Sequence, residues 1–149
     1  MTQGAGEPNR LFENLGNGVF HDITNSSNTG AGNFYTPGCS MGDINGDGLL
    51  DIAVANNSDW THRLSVAIPF GLTTHNQLFV NTGSNVFSDK SLSSGIQNNA
   101  VVPQGESGRT WSVAMVDYDL DEIQILYLSM IKALYLLQMR VALIGELSS

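Results

Sequence analysis

Residues 9–24 read NRLFENLGNGVFHDIT, and residues 76–91 read NQLFVNTGSNVFSDKS. Aligned 67 positions apart (76 minus 9), the two stretches are identical at eight of sixteen positions. In each stretch a short apolar run leads into an Asn/Gly turn, and a second short apolar run follows. This order is typical of a β-hairpin. The sequence therefore predicts two copies of one hairpin.

An acidic loop is repeated as well. The run DINGD at residues 43–47 has a counterpart, DYDLD, at residues 117–121, which lies 74 positions later (117 minus 43). A β-type run follows each loop, IAVAN at 52–56 and ILYLS at 125–129. Repeats that each hold a few short strands are typical of propeller blades. We expect a lead-in at residues 1–8, two repeat units at 9–75 and 76–129, and a tail at 130–149.

Composition favours the same fold class and excludes some functions. The chain has 149 residues, enough for one domain with a core, and its 16 glycines and many Asn residues favour turns between short strands. Its net charge is −8 with only six Lys plus Arg, which argues against nucleic acid as a partner. The first ten residues contain no apolar run, so we do not expect them to be a secretory signal.

The tail at residues 130–149 has a different composition. The run MIKALYLLQMRVALIGELSS predicts a helix by propensity. Lys132 and Arg140 interrupt its apolar stretch, which disfavours membrane insertion. We expect the tail to pack on the domain or on a neighbour, with a poorly ordered end and membrane contact as the alternatives.

The first acidic loop has the spacing of a calcium ligand set. Asp43, Asn45 and Asp47 place side-chain oxygens at positions 1, 3 and 5, Leu49 would offer its carbonyl at position 7, and Asp51 closes the set at position 9. Two glycines between them permit the tight turn. Clustered carboxylates favour a cation among them. The alternative is a turn rich in Asx residues that binds no metal.

The second acidic loop is a weaker match. Asp117, Asp119 and Asp121 keep positions 1, 3 and 5, but position 6 is Glu122 and position 9 is Ile125. The loop binds metal only if another oxygen, such as that of Glu122 or Gln124, replaces the missing carboxylate. The alternative is an acidic turn without metal.

Three further features of the sequence have alternative interpretations. Residues 38–42 spell G-x-S-x-G around Ser40, but Pro37 and Gly38 precede the serine and an Asp/Gly loop follows it, which is unlike a nucleophile elbow. An EF-hand is disfavoured because position 12 of the first loop is Val54 rather than Glu. Trp60 and Trp111 are expected to be packing anchors, with a sugar-stacking platform as the alternative.

The repeated motif N-x-L-F-x-N-x-G-x-x-V-F-x-D and the intact loop D-x-N-x-D-G-x-x-D resemble the FG-GAP or VCBS-type repeat. Integrin alpha-subunit propellers and many secreted bacterial adhesion-like proteins carry such repeats, and the resemblance covers residues 9–129. It implies all-β propeller blades, Ca²⁺ bound by the residues of the first loop and more weakly by the Asp residues of the second, and an extracellular or cell-surface role without catalysis. That role is adhesion, protein–protein binding or self-assembly.

Two units cannot close a ring, so we expect an incomplete propeller. Its exposed strand edges, or its apolar tail, would then promote self-association. The protein or glycan ligand stays open. The alternative function is a carbohydrate-binding accessory module of a secreted protein, with Trp60 or Trp111 as the platform.

Overall fold

The computed structural model describes residues 8–57 (except 31 and 33), 75–97, 110–117, 125–130 and 137–139. Within these residues the fold is all-β, every strand pairing is antiparallel, and there is no helix and no closed propeller. The strands are β1 (Phe12–Gly16), β2 (Val19–Asp22), β3 (Tyr35–Gly42), β4 (Asp51–Asn57), β5 (Gln77–Asn81), β6 (Phe87–Asp89), β7 (Thr110–Val116), β8 (Ile125–Met130) and β9 (Leu137–Met139). The predicted fold class is confirmed.

Both predicted hairpins are present. β1 pairs with β2, and Asn17 (φ 50°) and Gly18 (φ 77°) form the turn between them. β5 pairs with β6, and the turn contains Ser84 (φ 54°) and Asn85 (φ 57°). Left-handed backbone at both central residues matches the twist of the two strands, and this is why Asn and Gly are favoured there.

The second sheet is a four-stranded meander in the order β3-β4-β5-β6. β3 and β4 form a hairpin whose last pair is Gly42 with Asp51, so residues 43–50 make its loop. β5 then pairs with β4, placing Phe79 opposite Ile52. The first acidic loop therefore lies between two strands, as predicted.

The third sheet, β7-β8-β9, repeats the first three strands of the second sheet. Val116 pairs with Ile125, and both residues lie 74 positions after the pair Gly42 and Asp51 (116 minus 42, 125 minus 51). Asp117 is the first residue after β7. The second acidic loop thus begins at the position where the first one does, although residues 118–124 lie outside the described residues.

The tail differs from the prediction in its one described segment. Leu137–Met139, predicted as part of a helix, forms strand β9 against β8. The edge of β8 offers unpaired backbone groups, and pairing with them outweighs a helix propensity worth only tenths of a kcal/mol per residue. Residues 131–136 and 140–149 lie outside the described part. No helix in the described part could cross a membrane.

The core lies on both faces of the second sheet, because neighbouring residues of a strand point to opposite faces. On one face Ile52, Val54, Phe79 and Phe87 form a buried cluster against which Leu11 packs. The other face has a second cluster, and β7 contributes to it. Its members are Ile44, Ala53, Ala55, Leu78, Val80, Ile96 and Val113, with Met115 packed against them.

A buried polar network supports β4. The Thr36 hydroxyl donates to Asn56 Oδ1 (2.7 Å), and the Asn56 amide nitrogen of the backbone donates to Asn76 Oδ1 (3.0 Å). The third sheet differs at the described end of β7. Thr110 occupies the position of Thr36 and is fully buried, but its hydroxyl has no hydrogen-bond partner within the described residues. In the sequence, Met130 stands 74 positions after Asn56, so the counterpart residue has no side-chain amide (130 minus 56 is 74).

Candidate metal centre

The loop between β3 and β4 folds around one carboxylate. Asp43 accepts hydrogen bonds from the backbone N–H groups of Gly46 (2.8 Å), Asp47 (3.1 Å) and Gly48 (2.7 Å). Such bonds are possible because Gly46 (φ 75°) and Gly48 (φ 84°) take left-handed backbone, which glycine adopts without a steric penalty. Asp43 therefore closes the turn that brings the later loop residues back towards it.

Asn45 and Asp47 form two further Asx turns. Asn45 Oδ1 accepts from the backbone N–H of Asp47 (3.1 Å), and Asp47 Oδ1 accepts from that of Leu49 (2.8 Å). The Asn45 side-chain amide also donates to Asp47 Oδ2 (2.9 Å). All three side chains thus hold the loop as well as offering oxygens.

Asp51 is fully buried and joins the loop to the sheet. Its Oδ2 accepts from the backbone N–H of Ile44 (3.0 Å), and its Oδ1 accepts from that of Asn81 at the end of β5 (2.8 Å). The Asn81 side chain donates in turn to the Leu50 carbonyl (3.2 Å). One carboxylate therefore fixes both the start of the loop and the neighbouring strand.

The ionisation of Asp51 reflects its burial first and the neighbouring carboxylates second. Burial raises the pKa of Asp51, and the carboxylates of Asp47 and Asp43 raise it further. The backbone N–H groups of Asn81 and Ile44 oppose this shift in pKa. The ionised form of Asp51 is thus disfavoured at this position, and a nearby cation would stabilise the ionised carboxylate.

The donor chemistry fits Ca²⁺, whereas the arrangement is not a closed cage. Carboxylate, amide and carbonyl oxygens are the ligands that calcium prefers. Yet no three His, Cys, Asp or Glu side chains within the described residues lie close enough together to hold a metal ion. The Asn45 amide nitrogen faces Asp47. Coordination would require the side chains of Asn45 and Asp47 to rotate.

The second loop can be followed only at its start. Asp117 is half-buried directly after β7. Asp119, Asp121, Glu122 and Gln124 lie outside the described residues, so a second site stays a prediction.

Ser40 and the two tryptophans are not part of the acidic loop. Ser40 lies within β3, where its hydroxyl accepts a hydrogen bond from the backbone N–H of Met115 (3.0 Å) and links β3 to β7. Trp111 on β7 was expected to be a packing anchor. Its side chain is 44% exposed, so it is not a buried one. Trp60 lies outside the described residues.

One repeated motif was not recognised from the sequence. The Thr24 hydroxyl donates to Asp22 Oδ1 (2.6 Å) and accepts from the backbone N–H of Leu11 (2.9 Å), which ties the end of β2 to the residue before β1. In the second hairpin the Ser91 hydroxyl likewise bonds Asp89 and accepts from Leu78 N–H (3.0 Å). The signal was an Asp followed two residues later by Thr or Ser at the end of both copies.

Comparison with known proteins agrees with this geometry. Residues 2–54, which are 53 of the 149, match the family model of the FG-GAP-like repeat, so the chain carries such a repeat there. The matched residues contain the first hairpin and the whole first acidic loop. A search of curated proteins finds no match. FG-GAP repeats are typically non-catalytic structural modules, often bind Ca²⁺, and usually occur in secreted or cell-surface proteins.

Proposed function

We propose that this protein is a calcium-binding repeat module that acts outside the cell, in adhesion, protein–protein binding or self-assembly, without catalysis. The observation that carries the proposal is the loop at residues 43–51. It lies within the matched repeat and carries the oxygen donors Asp43, Asn45, Asp47 and Asp51, with Asp51 fully buried at its end and Asp43 accepting three backbone hydrogen bonds of the loop. A divalent cation would neutralise these carboxylates.

Calcium in this loop acts on the strands as well as on the loop. Asp51 bonds to Asn81 N–H on β5, so a cation that stabilises ionised Asp51 also stabilises the pairing around β4. Extracellular modules bind calcium with a Kd of about 10⁻⁴–10⁻³ M. At a calcium concentration of about 100 Kd, binding adds roughly 2.7 kcal/mol to the free energy of unfolding.

The test is a calorimetric titration of chelator-stripped protein with CaCl₂, with MgCl₂ as the ion control. One calcium site per chain would assign the loop at residues 43–51. Two sites would add the loop that begins at Asp117. The absence of any binding would refute the proposal, because the loop would then be a turn closed by its own hydrogen bonds.

A matched pair of variants tests whether the loop is the calcium site. Asp43→Asn removes a charge and replaces one of the two carboxylate oxygens that accept the loop's backbone N–H groups, and we expect at least about a tenfold weaker Kd, or roughly 1.4 kcal/mol. Asp89→Asn makes the same change in a turn outside the loop, where Asp89 accepts from Ser91 N–H (2.8 Å). Calcium affinity should be unchanged in that control.

A second candidate function rests on Trp111. Its 44% exposure on β7 is compatible with an aromatic platform for sugars in an accessory module of a secreted protein. Trp111→Ala should then abolish binding on a glycan array, whereas Val116→Ala, on the same strand, should not change it. Equal glycan binding by wild type and Trp111→Ala would remove this candidate.

A further inference from the structure

The two copies of the hairpin differ in what pairs with their first strand. β5 has a neighbouring strand on each side, β4 and β6. β1, its counterpart 67 positions earlier in the sequence, pairs only with β2 within the described residues. One edge of β1 therefore lacks the strand that β4 provides in the second copy.

Backbone groups of β1 point to this free edge. Successive residues of an antiparallel strand direct their N–H and C=O groups to opposite sides. The backbone of Leu11 faces β2, because its carbonyl accepts a hydrogen bond from the residue after β2 (2.9 Å). Phe12 and Asn14 therefore direct their backbone groups alternately with Leu11, to the free edge. Asn81, the counterpart of Asn14, uses this N–H to donate to Asp51 (2.8 Å).

The side chain of Asn9, which precedes β1, has a buried oxygen without a donor. Its amide nitrogen donates to the Thr36 hydroxyl on β3 (3.1 Å), whereas its Oδ1 has no hydrogen-bond partner within the described residues. In the second copy the equivalent oxygen, Asn76 Oδ1, accepts from the backbone N–H of Asn56 on β4 (3.0 Å). A buried acceptor without a donor is unfavourable, so an added strand that donates to Asn9 would stabilise this end of β1.

Two exposed side chains of β3 lie where such a strand would pack. Cys39 is exposed, and Met41 is 50% exposed. Their counterparts 74 positions later are Val113 and Met115 (113 minus 39, 115 minus 41). Val113 is buried in a cluster that contains two alanines of β4, and Met115 packs against that cluster. The face of β3 that carries Cys39 and Met41 is thus equivalent to one that β4 covers.

β4 indicates the kind of segment that fits this site. Residues 51–56 read DIAVAN, and the β-branched side chains of Ile52 and Val54 are buried with Phe79. The two alanines face the opposite side of the sheet, and the carboxylate stands at the start. A segment of this pattern would cover Phe12, the counterpart of Phe79, which is 38% exposed.

We propose that the free edge of β1 binds an extended segment of another protein as an additional antiparallel strand. The segment has a carboxylate followed by alternating β-branched and small residues. Its carboxylate accepts from Asn14 N–H, and one of its backbone N–H groups donates to Asn9 Oδ1. Its small residues cover Cys39 and Met41. Backbone hydrogen bonds supply affinity in this mode of recognition, and the alternating side chains supply specificity.

A second copy of this chain does not offer such a segment among its described residues. β4 lies between β3 and β5, and β8 lies between β7 and β9. β8 also begins with Ile125, where β4 begins with Asp51. The segment is therefore assigned to a different protein. This inference rests on the protein–protein binding that forms part of the proposed function, and it does not depend on calcium in the loop.

Fluorescence polarisation of a labelled synthetic peptide tests the proposal. The peptide LDIAVANN, residues 50–57 of the chain, should bind the whole protein saturably. N-methylation of its Val54 should weaken binding at least tenfold, because the even-numbered residues of β4 direct their N–H groups to the hairpin, as Asn56 does. N-methylation of Ala53, whose N–H faces away, is the matched control. No binding of the peptide, or equal binding of the two methylated peptides, would overturn the proposal.

The reactivity of Cys39 locates the bound peptide. Cys39 is the single cysteine of the chain and is exposed, so saturating peptide should slow its alkylation by iodoacetamide several-fold. An unchanged alkylation rate with peptide bound would overturn the proposal, because the peptide would then lie elsewhere.

A pair of protein variants tests the same surface. Met41→Asp should weaken peptide binding at least tenfold, because it places a charge in the contact. Leu92→Asp is the matched control, since Leu92 is 76% exposed and lies after β6. Circular dichroism checks that both variants fold. Equal peptide binding by folded Met41→Asp and wild type would overturn the proposal.

The calcium titration of wild type keeps the two proposals apart. Calcium binding without peptide binding overturns the strand addition and leaves the calcium loop standing. Peptide binding without calcium binding does the reverse.

Discussion

At the scale of single residues, the equivalent hydroxyls of Thr36 and Thr110 have different surroundings. We expect Thr36→Val to lower the free energy of unfolding by about 1–3 kcal/mol, because it leaves the buried Asn56 Oδ1 without its donor. Thr110→Val should be neutral or stabilising, since it removes a buried hydroxyl that has no partner within the described residues. Urea denaturation of the two variants measures this difference. Equal losses would contradict it.

The ionisation of Asp22 also depends on contacts with single residues. Hydrogen bonds from the Thr24 hydroxyl and backbone N–H lower the pKa of Asp22, and Arg10 (3.3 Å) adds to this effect. A lowered pKa in the folded state means that Asp22 stabilises the protein above its unfolded pKa. That stabilisation is lost as pH falls through the folded pKa.

We expect Thr24→Val to raise the pKa of Asp22 towards its usual value. NMR titration of the Asp22 carboxyl carbon measures the shift. Ser26→Ala is the control, because the Ser26 hydroxyl donates to the Ile23 carbonyl and not to Asp22. An unchanged Asp22 titration in Thr24→Val would show that the hydroxyl does not stabilise the carboxylate.

At the scale of elements, Asp51 joins the acidic loop to β5. Asp51→Ala leaves the backbone N–H groups of Ile44 and Asn81 without acceptors, and we expect a loss of about 1–3 kcal/mol even without calcium. Faster hydrogen exchange at Asn81 N–H is the specific readout. Asp47→Ala, an exposed loop carboxylate, should leave that exchange rate unchanged. If both variants affect Asn81 alike, the link through Asp51 is not specific.

Elements were predictable from sequence where local chemistry decides them. Asn17-Gly18 specifies its turn because few other residues adopt left-handed backbone, and the run after each acidic loop is β-branched or apolar and short. β9 was not predictable, because Leu137–Met139 has helical propensity and its strand arises from pairing with β8. The candidate ligands of the loop were chosen from their spacing and stay a prediction, whereas the contact of Asp51 with β5 joins residues that lie distant in sequence.

At the scale of the whole molecule, the sheets approach closely at Gly38. A Cβ on Gly38 would lie 3.4 Å from the Trp111 carbonyl oxygen and 3.5 Å from Ser112 Cα on β7. Gly38→Val adds further methyl groups at this contact, and we expect a loss of about 1–3 kcal/mol from overpacking. Thermal unfolding measures it. Met41→Val, at an exposed site of the same strand, should cost much less. Similar losses at the two sites would mean that β3 and β7 do not pack this tightly.

The Thr24 and Ser91 hydroxyls each join the two ends of a hairpin, and these contacts have a consequence for the order of folding. Thr24 reaches Leu11 and Ser91 reaches Leu78 across only 13 residues each, so both closures form between near neighbours in the chain. Hairpins form within about 1–10 μs, whereas contacts across long chain segments arise more slowly. β4 and β5 are separated by residues 58–76, and their pairing must await the closure of that long connection. Each hairpin should therefore assemble first, during synthesis on the ribosome, and β4 should join a preformed β5–β6 unit.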